Sequence, residues 1–123
     1  MRIRPKRRWT SLATLVTLAS FAGCHSPYVR TSIVNHTGGT IRLIEVDYPN
    51  ASFGTQQIAE NQTFNYRFKV QDSGPVKITY TGEDGNSRTS SGPNLNEGEQ
   101  GALTITLGVN GNVTWTPNLS PAK

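Results

Sequence analysis

The sequence predicts an all-β protein: a small antiparallel β-sandwich of seven to eight strands, immunoglobulin-like in the loose sense, after an N-terminal signal helix. Three observations carry this. Beyond Pro27, apolar residues alternate with polar ones and do not recur at three and four, as a helix face would require. Turn-forming residues interrupt the alternation about every 8 to 12 residues, the spacing of short strands in sandwiches and small barrels. The 123-residue chain is long enough for one domain, and a mature length near 100 buries a sufficient core, with modest stability.

The strands follow in order. "VRTSIVN" and "TIRLIEVDY" flank "HTGG", a hairpin-like break. In the second of these the apolar phase shifts between Leu43 and Ile44, which calls for a bulge or for two partly buried faces. "SFGTQQI" is a weaker strand. "QTFNYRFKV" is the clearest: Phe64, Tyr66, Phe68 and Val70 share one face, and Asn65, Arg67 and Lys69 take the other. "PVKITYT" repeats the pattern with Val76, Ile78 and Tyr80 inward. "NSRTSSG" has no large apolar residue and reads as an edge strand whose polarity discourages edge-to-edge association. "GPNLNEGEQG" reads as the longest loop. "GALTITLG" aligns Leu103, Ile105 and Leu107, and after Val109-Asn110-Gly111 "NVTWT" places Val113 and Trp115 together, a hairpin on an Asn-Gly turn. The expected core is Ile33, Leu43, Ile58, Phe64, Phe68, Val76, Ile78, Leu103, Ile105, Leu107 and Trp115. The Cys…Trp…Cys core of antibody domains is absent.

The formal charge of +4 is misleading, because Arg2, Arg4, Lys6, Arg7 and Arg8 supply five of the 12 basic residues. From Cys24 onward seven basic residues face eight acids, a net charge of −1. Such a surface has no reason to attract phosphate backbones, and a nucleic-acid partner is excluded on that ground.

The basic head precedes an uncharged, partly apolar run from Trp9 to Gly23. A basic head, a short apolar run and small residues make a secretory signal. A spanning helix wants about 20 mostly apolar residues, so a retained membrane helix is a weaker reading. Arg7-Arg8 also raises the twin-arginine route, against which Thr10 and Ser11 stand. The only cysteine, Cys24, closes the segment and has no partner for a disulfide.

Phe21-Ala22-Gly23-Cys24 resembles the lipobox of bacterial lipoprotein precursors: an apolar residue, two small ones and the invariant Cys. The resemblance covers residues 1–24 only. It implies a diacylglycerol thioether on Cys24, cleavage by signal peptidase II between Gly23 and Cys24, and palmitate-type acyl chains holding the protein on a bilayer. The alternative is an ordinary cleavage site, with Ser20-Phe21-Ala22 loosely serving. In that family an Asp after the Cys tends to retain the protein at the inner membrane. His25 and Ser26 stand here, so the outer membrane is favoured in a Gram-negative cell. The expected organisation is 1–23 signal peptide, 24–27 tether, 28–119 β-sandwich and 120–123 tail.

Little in the remainder points to chemistry. His25 adjoins the anchor, and His36 sits in good turn chemistry, Asn-His-Thr-Gly. No spacing of His and Cys offers zinc ligands, and Glu83-Asp84-Gly85 and Glu97-x-Glu99 lack the spaced oxygens of a calcium loop. Glu45 and Asp47, at i and i+2, read as an outward polar face, not as the opposed acids of a glycosidase. Tyr48, Tyr66, Tyr80 and Trp115 read as core before they read as a sugar platform. Five Asn-x-Ser/Thr sequons, at Asn35, Asn50, Asn61, Asn112 and Asn118, would matter only in a eukaryotic host.

The sequence therefore predicts no catalytic residue, metal or cofactor. It predicts a lipid-anchored envelope protein with a binding or structural role, whose partners are membrane lipid through acylated Cys24 and an envelope protein or glycan. Strands running alternately up and down would put the turns at His36–Gly39, Ala59–Asn61, Gly82–Gly85 and Asn110–Gly111 away from the membrane. His36, Gly38, Asp84 and Asn110 are the candidate partner site there. The alternatives are a carbohydrate- or peptide-binding module, for which exposure of Trp115 or Tyr66 would speak, an accessory subunit joined by strand addition, and a small hydrolase.

Overall fold

A computed structural model describes residues 27–121. The signal segment, the Gly23–Cys24 junction and the start of the tether lie outside the described residues, as does the end of the tail.

Eight strands build two four-stranded sheets: β1 (Val29–Asn35), β2 (Ile41–Tyr48), β3 (Ala51–Ile58), β4 (Thr63–Phe68), β5 (Gly74–Thr81), β6 (Ser87–Leu95), β7 (Gln100–Leu107) and β8 (Val113–Ser120). A tight turn, Val109–Gly111, joins the last two. The sheet orders are β4-β1-β7-β8 and β3-β2-β5-β6. They stack as a sandwich, with β4 beside β3 along one open edge and β8 beside β6 along the other. All pairs are antiparallel except β1–β7, which run parallel from Val29↔Gly101 to Asn35↔Leu107. A parallel pair needs a long connection, and here the intervening strands provide it.

The alternation read from the sequence becomes the core. Val29 and Ile33 from β1, Val76, Ile78 and Tyr80 from β5, and Leu103, Ile105 and Leu107 from β7 are all buried between the sheets. Ile41, Ile44, Val46, Phe53, Ile58, Phe68, Val70 and Leu95 complete it. Each such side chain contributes about 1.5–3 kcal/mol relative to exposure. Phe64 and Trp115, expected in the core, are only partly buried and pack against its rim.

The phase shift in β2 is a bulge. Arg42 pairs with Thr81 and Glu45 with Thr79, so Leu43 and Ile44 together oppose Tyr80. Leu43, expected in the core, is instead 60% exposed with φ +51°. The bulge gives the inward position to Ile44 and turns its neighbour out. Left-handed backbone costs an L-residue roughly 1–2 kcal/mol, a cost glycine avoids. Leu43→Gly is therefore expected to stabilise the fold by about 0.5–1 kcal/mol, the gain being trimmed by glycine's larger unfolded-state entropy. A higher urea midpoint with an unchanged slope would show it; a lower midpoint would mean that the leucine side chain packs.

One further expectation changes. Gly92–Leu95, assigned to the longest loop, extend β6, and Leu95 is fully buried, leaving Asn96–Glu99 as the connection. β8 runs through Ser120. β6 is an edge strand, as its polarity indicated.

Trp115 closes the β6–β8 edge. Its indole nitrogen donates to Ser90 Oγ at 3.1 Å, and its ring lies on Gly92, where an added Cβ would meet ring carbons at 2.5–2.6 Å. The opposite edge is closed by aromatics: Tyr48 stacks on Phe68 (4.1 Å between centroids) and Tyr66 on Phe53 (4.2 Å).

Candidate functional site

Strand directions sort the loops. β1 runs from Val29 to Asn35, β2 leaves from the Asn35 end, and Arg42 at its start pairs with Thr81 at the end of β5. Leu107, the end of β7, pairs with Asn35 and with Val113. The connections β1–β2, β3–β4, β5–β6 and β7–β8 therefore share one end of the sandwich. Tyr28, where the chain enters from its N-terminal segment, lies at the other.

Buried Asn35 organises the first of these connections. Its Nδ2 donates to the carbonyls of Gly39 (2.8 Å) and Ile58 (2.9 Å), and its Oδ1 accepts from Thr37 N (3.0 Å) and Thr37 Oγ1 (2.7 Å). Its backbone bonds Gln62 and Asn61 of the β3–β4 turn. The side-chain nitrogen of this sequon is thus fully occupied and closed off, and it is no acceptor for a glycan in the folded protein.

The β5–β6 turn is tied by Asp84. Its carboxylate accepts from Asn86 N (2.9 Å) and takes a two-point bond from Arg88, with Nη2 at 3.0 Å and Nη1 at 3.3 Å. Arg88 lies inward on β6 opposite Tyr80, and its stem reaches the β7–β8 turn, where a Cβ on Gly111 would meet Nε at 3.2 Å. One guanidinium thereby bridges the two sheets. In the β7–β8 turn Asn110 and Gly111 are both left-handed, at φ +59° and +76°, the mirror-image geometry that Asn-Gly favours.

Between these turns lies a hollow of about 450 Å³, lined by Thr37, Gly38, Gly39, Tyr80, Gly82, Glu83, Asp84, Arg88, Gly108, Asn110 and Gly111. The absence of a side chain on Gly39 leaves room for the Glu83 carboxylate, whose atoms occupy the space a Cβ would take. Tyr80 is 1% exposed, and its hydroxyl is buried with no hydrogen-bond partner among the described residues. Burial raises the phenol pKa, a shift opposed by the Arg88 charge and helped by Asp84, so the group stays a neutral donor at physiological pH.

The hydrogen bond from Arg88, then the backbone bond from Asn86, hold the Asp84 carboxyl down to about 2. A folded-state value below the unfolded one gives stability that is present above about pH 4 and is lost as pH falls toward 2. A carboxyl titration followed by NMR is expected to place the Asp84 midpoint near the value given, with the Gly82–Asn86 amides shifting over that same window. A midpoint close to 4 would mean that the Arg88 pairing does not hold in solution.

Of the four candidate partner residues, Gly38, Asp84 and Asn110 line the hollow. His36 precedes the lining, is exposed, and bonds Leu107 O through its backbone N at 2.7 Å. Tyr80 and Arg88 were missed. The first reads as ordinary core from its alternation, and the second lies in a polar strand whose facing no apolar pattern fixes. Glu45 and Asp47 lie on the outer face of β2, and Asp47 approaches Lys77 at 3.9 Å. Of the four aromatics considered as a platform, only Tyr66 is substantially exposed, at 43%. Among the described residues no three His, Cys, Asp or Glu side chains gather as metal ligands, and no helix is long and apolar enough to cross a membrane.

Neither protein-family models nor curated proteins give a match to this sequence. Among solved structures, the NMR structure of a protein from Eubacterium rectale is similar, with a TM-score of 0.53 at 15% identity, covering 80% of this chain and 93% of that one. At that identity the likeness is one of fold.

Proposed function

We propose that the protein is a lipid-anchored cell-envelope lipoprotein whose β-sandwich binds a partner through the end remote from its anchor, without catalysing a reaction. The observation that carries this is the hollow between the β1–β2, β5–β6 and β7–β8 turns, with a buried phenol hydroxyl that no group among the described residues satisfies. A buried unpaired donor costs about 1–3 kcal/mol, and a ligand that opened the hollow onto the enclosed Tyr80 hydroxyl and brought an acceptor oxygen would remove that cost. Chemistry is poorly served there. Asp84 is locked to Arg88, and Tyr80 stays neutral. The anchor reading rests on the lipobox resemblance at Cys24. With His25 following, the outer membrane is the favoured site in a Gram-negative host.

Two measurements test the reading. Intact-mass analysis of the native product should find an N-terminus at Cys24 carrying acyl chains; a free thiol or another N-terminus overturns the anchor. A photo-crosslinker at Asn110 should capture an envelope component in its own membranes, and Tyr80→Phe should weaken that capture. Capture from Asn50, at the other end, with none from Asn110 would overturn the distal site.

A second reading has its own observation. The exposed ring of Tyr66, backed by Phe53, could stack on a sugar. Glycan binding abolished by Tyr66→Ala but untouched by Tyr80→Phe would favour it.

A further inference from the structure

Half of the six basic side chains among the described residues gather at one corner, at the end away from the distal hollow. Arg30 on β1 and Arg67 on β4 are direct register partners, both exposed, and Lys69 follows two residues on. Like charges placed opposite each other across strands repel, and no acid offsets them. The ion pairs among the described residues are Lys77–Asp47 and Arg88–Asp84, both elsewhere. The acids at this end are otherwise placed: Asp72 accepts from the Asn50 side chain, Glu99 accepts from the Asn96 backbone at 2.9 Å, and Glu97 sits on the β6–β7 loop. The two β4-side cations converge instead on a ring, with the Arg67 guanidinium 4.4 Å and the Lys69 ammonium 5.9 Å from the Tyr28 centroid. Around Arg30 and Arg67 the outer face of the sheet continues with Ser32, Asn65 and Ala102, which bring a hydroxyl, an amide and a methyl group and no negative charge.

The corner also has a fixed relation to the chain that precedes it. Tyr28 is the second described residue, and the uncharged run from Trp9 to Gly23 ends five residues before it. Cys24 to Tyr28 spans at most roughly 14 Å when extended. Whether acylated Cys24 or the apolar run itself holds the membrane, these three cations stand within about two Debye lengths of the headgroups, and domain tilt can bring them into contact.

We propose that Arg30, Arg67 and Lys69 form a headgroup-contacting surface, binding lipid phosphates of the leaflet to which the chain is attached and so setting the sandwich with its distal turns away from the membrane. This rests on the membrane-attachment reading and not on the distal hollow. Each cation near an anionic leaflet raises binding several-fold, so three together are worth on the order of a hundredfold.

The test uses the full chain in nanodiscs of phosphatidylcholine, with or without phosphatidylglycerol, carrying a spin label on the lipid headgroup. The amides of Arg30, Arg67 and Lys69 should broaden in the anionic discs, while Asn110 does not. The broadening should fall in pure phosphatidylcholine, in high salt, and in Arg30→Gln/Arg67→Gln, whose unchanged circular dichroism would exclude misfolding. Equal broadening with and without anionic lipid, or in the double variant, overturns the proposal. So does a response of the same amides to a soluble acidic polysaccharide with none to anionic lipid, since the partner would then be a glycan. A chain that fails to enter either disc removes the membrane attachment and the proposal together.

Discussion

Asn35→Ala is expected to destabilise the domain by about 3 kcal/mol, the sum of two buried groups left unpaired at 1–3 kcal/mol each. The Ile58 carbonyl and the Thr37 amide both lose the side-chain partner seen in the native fold, at 2.9 and 3.0 Å. The Gly39 carbonyl keeps the Thr37 hydroxyl at 3.0 Å, which limits the loss. In a domain of this size each kcal/mol shifts the melting temperature by about 4–8 °C, so a fall of roughly 12–24 °C follows. Asn35→Asp separates hydrogen bonding from packing. The introduced carboxylate has nearly the same shape but turns a donor into an acceptor facing two carbonyls. Burial and those carbonyls raise its folded-state pKa above the unfolded value, so this variant should be least stable at neutral pH and recover part of its loss as pH falls below that raised value. Thermal unfolding at two pH values reads both effects. A loss below about 1 kcal/mol for the alanine variant would show that water replaces the lost bonds. Because this side chain holds the β1–β2 turn to the end of β3, both substitutions should also blunt crosslinking from Asn110 ahead of global unfolding.

Gly54→Ala is the second large effect, expected at about 3 kcal/mol, the upper part of the range for overpacking. A Cβ on Gly54 would overlap the carbonyl oxygen of Ile44, which is backbone and cannot step aside as a side chain can. Gly54 pairs with Glu45, immediately beyond the β2 bulge, where the two strands lie close. Glycine in a strand often marks such a close approach of backbones. Relief would require β3 to move away from β2, loosening the Val46–Phe53 pair and the aromatic edge built on Phe53. Equilibrium urea unfolding measures the loss, and amide exchange should show it concentrated in β2 and β3. An alanine variant as stable as the parent would mean that this edge shifts freely. The contrast with Leu43→Gly is informative. Leu43 sits in the bulge and Gly54 beside it, yet one gains from losing its Cβ and the other cannot accept one.

The strands were legible because burial is imposed on alternate residues. Val76, Ile78 and Tyr80, or Leu103, Ile105 and Leu107, leave only one way to face a core. The bulge was legible too, because Leu43 and Ile44 break the period. Which of the two turns inward was not, since a bulge inverts parity and either assignment satisfies the pattern. Tyr66 shares the parity of Phe68, but β4 lies at a sheet edge, and alternation says nothing of how far a neighbouring sheet extends over it. Arg88 stood among small polar residues whose facing carries no apolar signal. Asn35 looked like turn chemistry, and its burial arises from three separate chain segments meeting around it.

The sequence alone determined that most of this chain makes short strands with one apolar face, where most of the turns fall, that the region after Cys24 is nearly neutral, and that a lone cysteine closes a signal-like segment. These are local properties, set by neighbours a few residues away. Only the tertiary structure decided the sheet orders, the parallel pairing of β1 with β7, the convergence of three turns around Tyr80 and Arg88, and the unpaired corner of Arg30, Arg67 and Lys69. Those depend on contacts between residues far apart in the chain, and a residue's own surroundings in sequence hold no record of which distant strand will lie beside it.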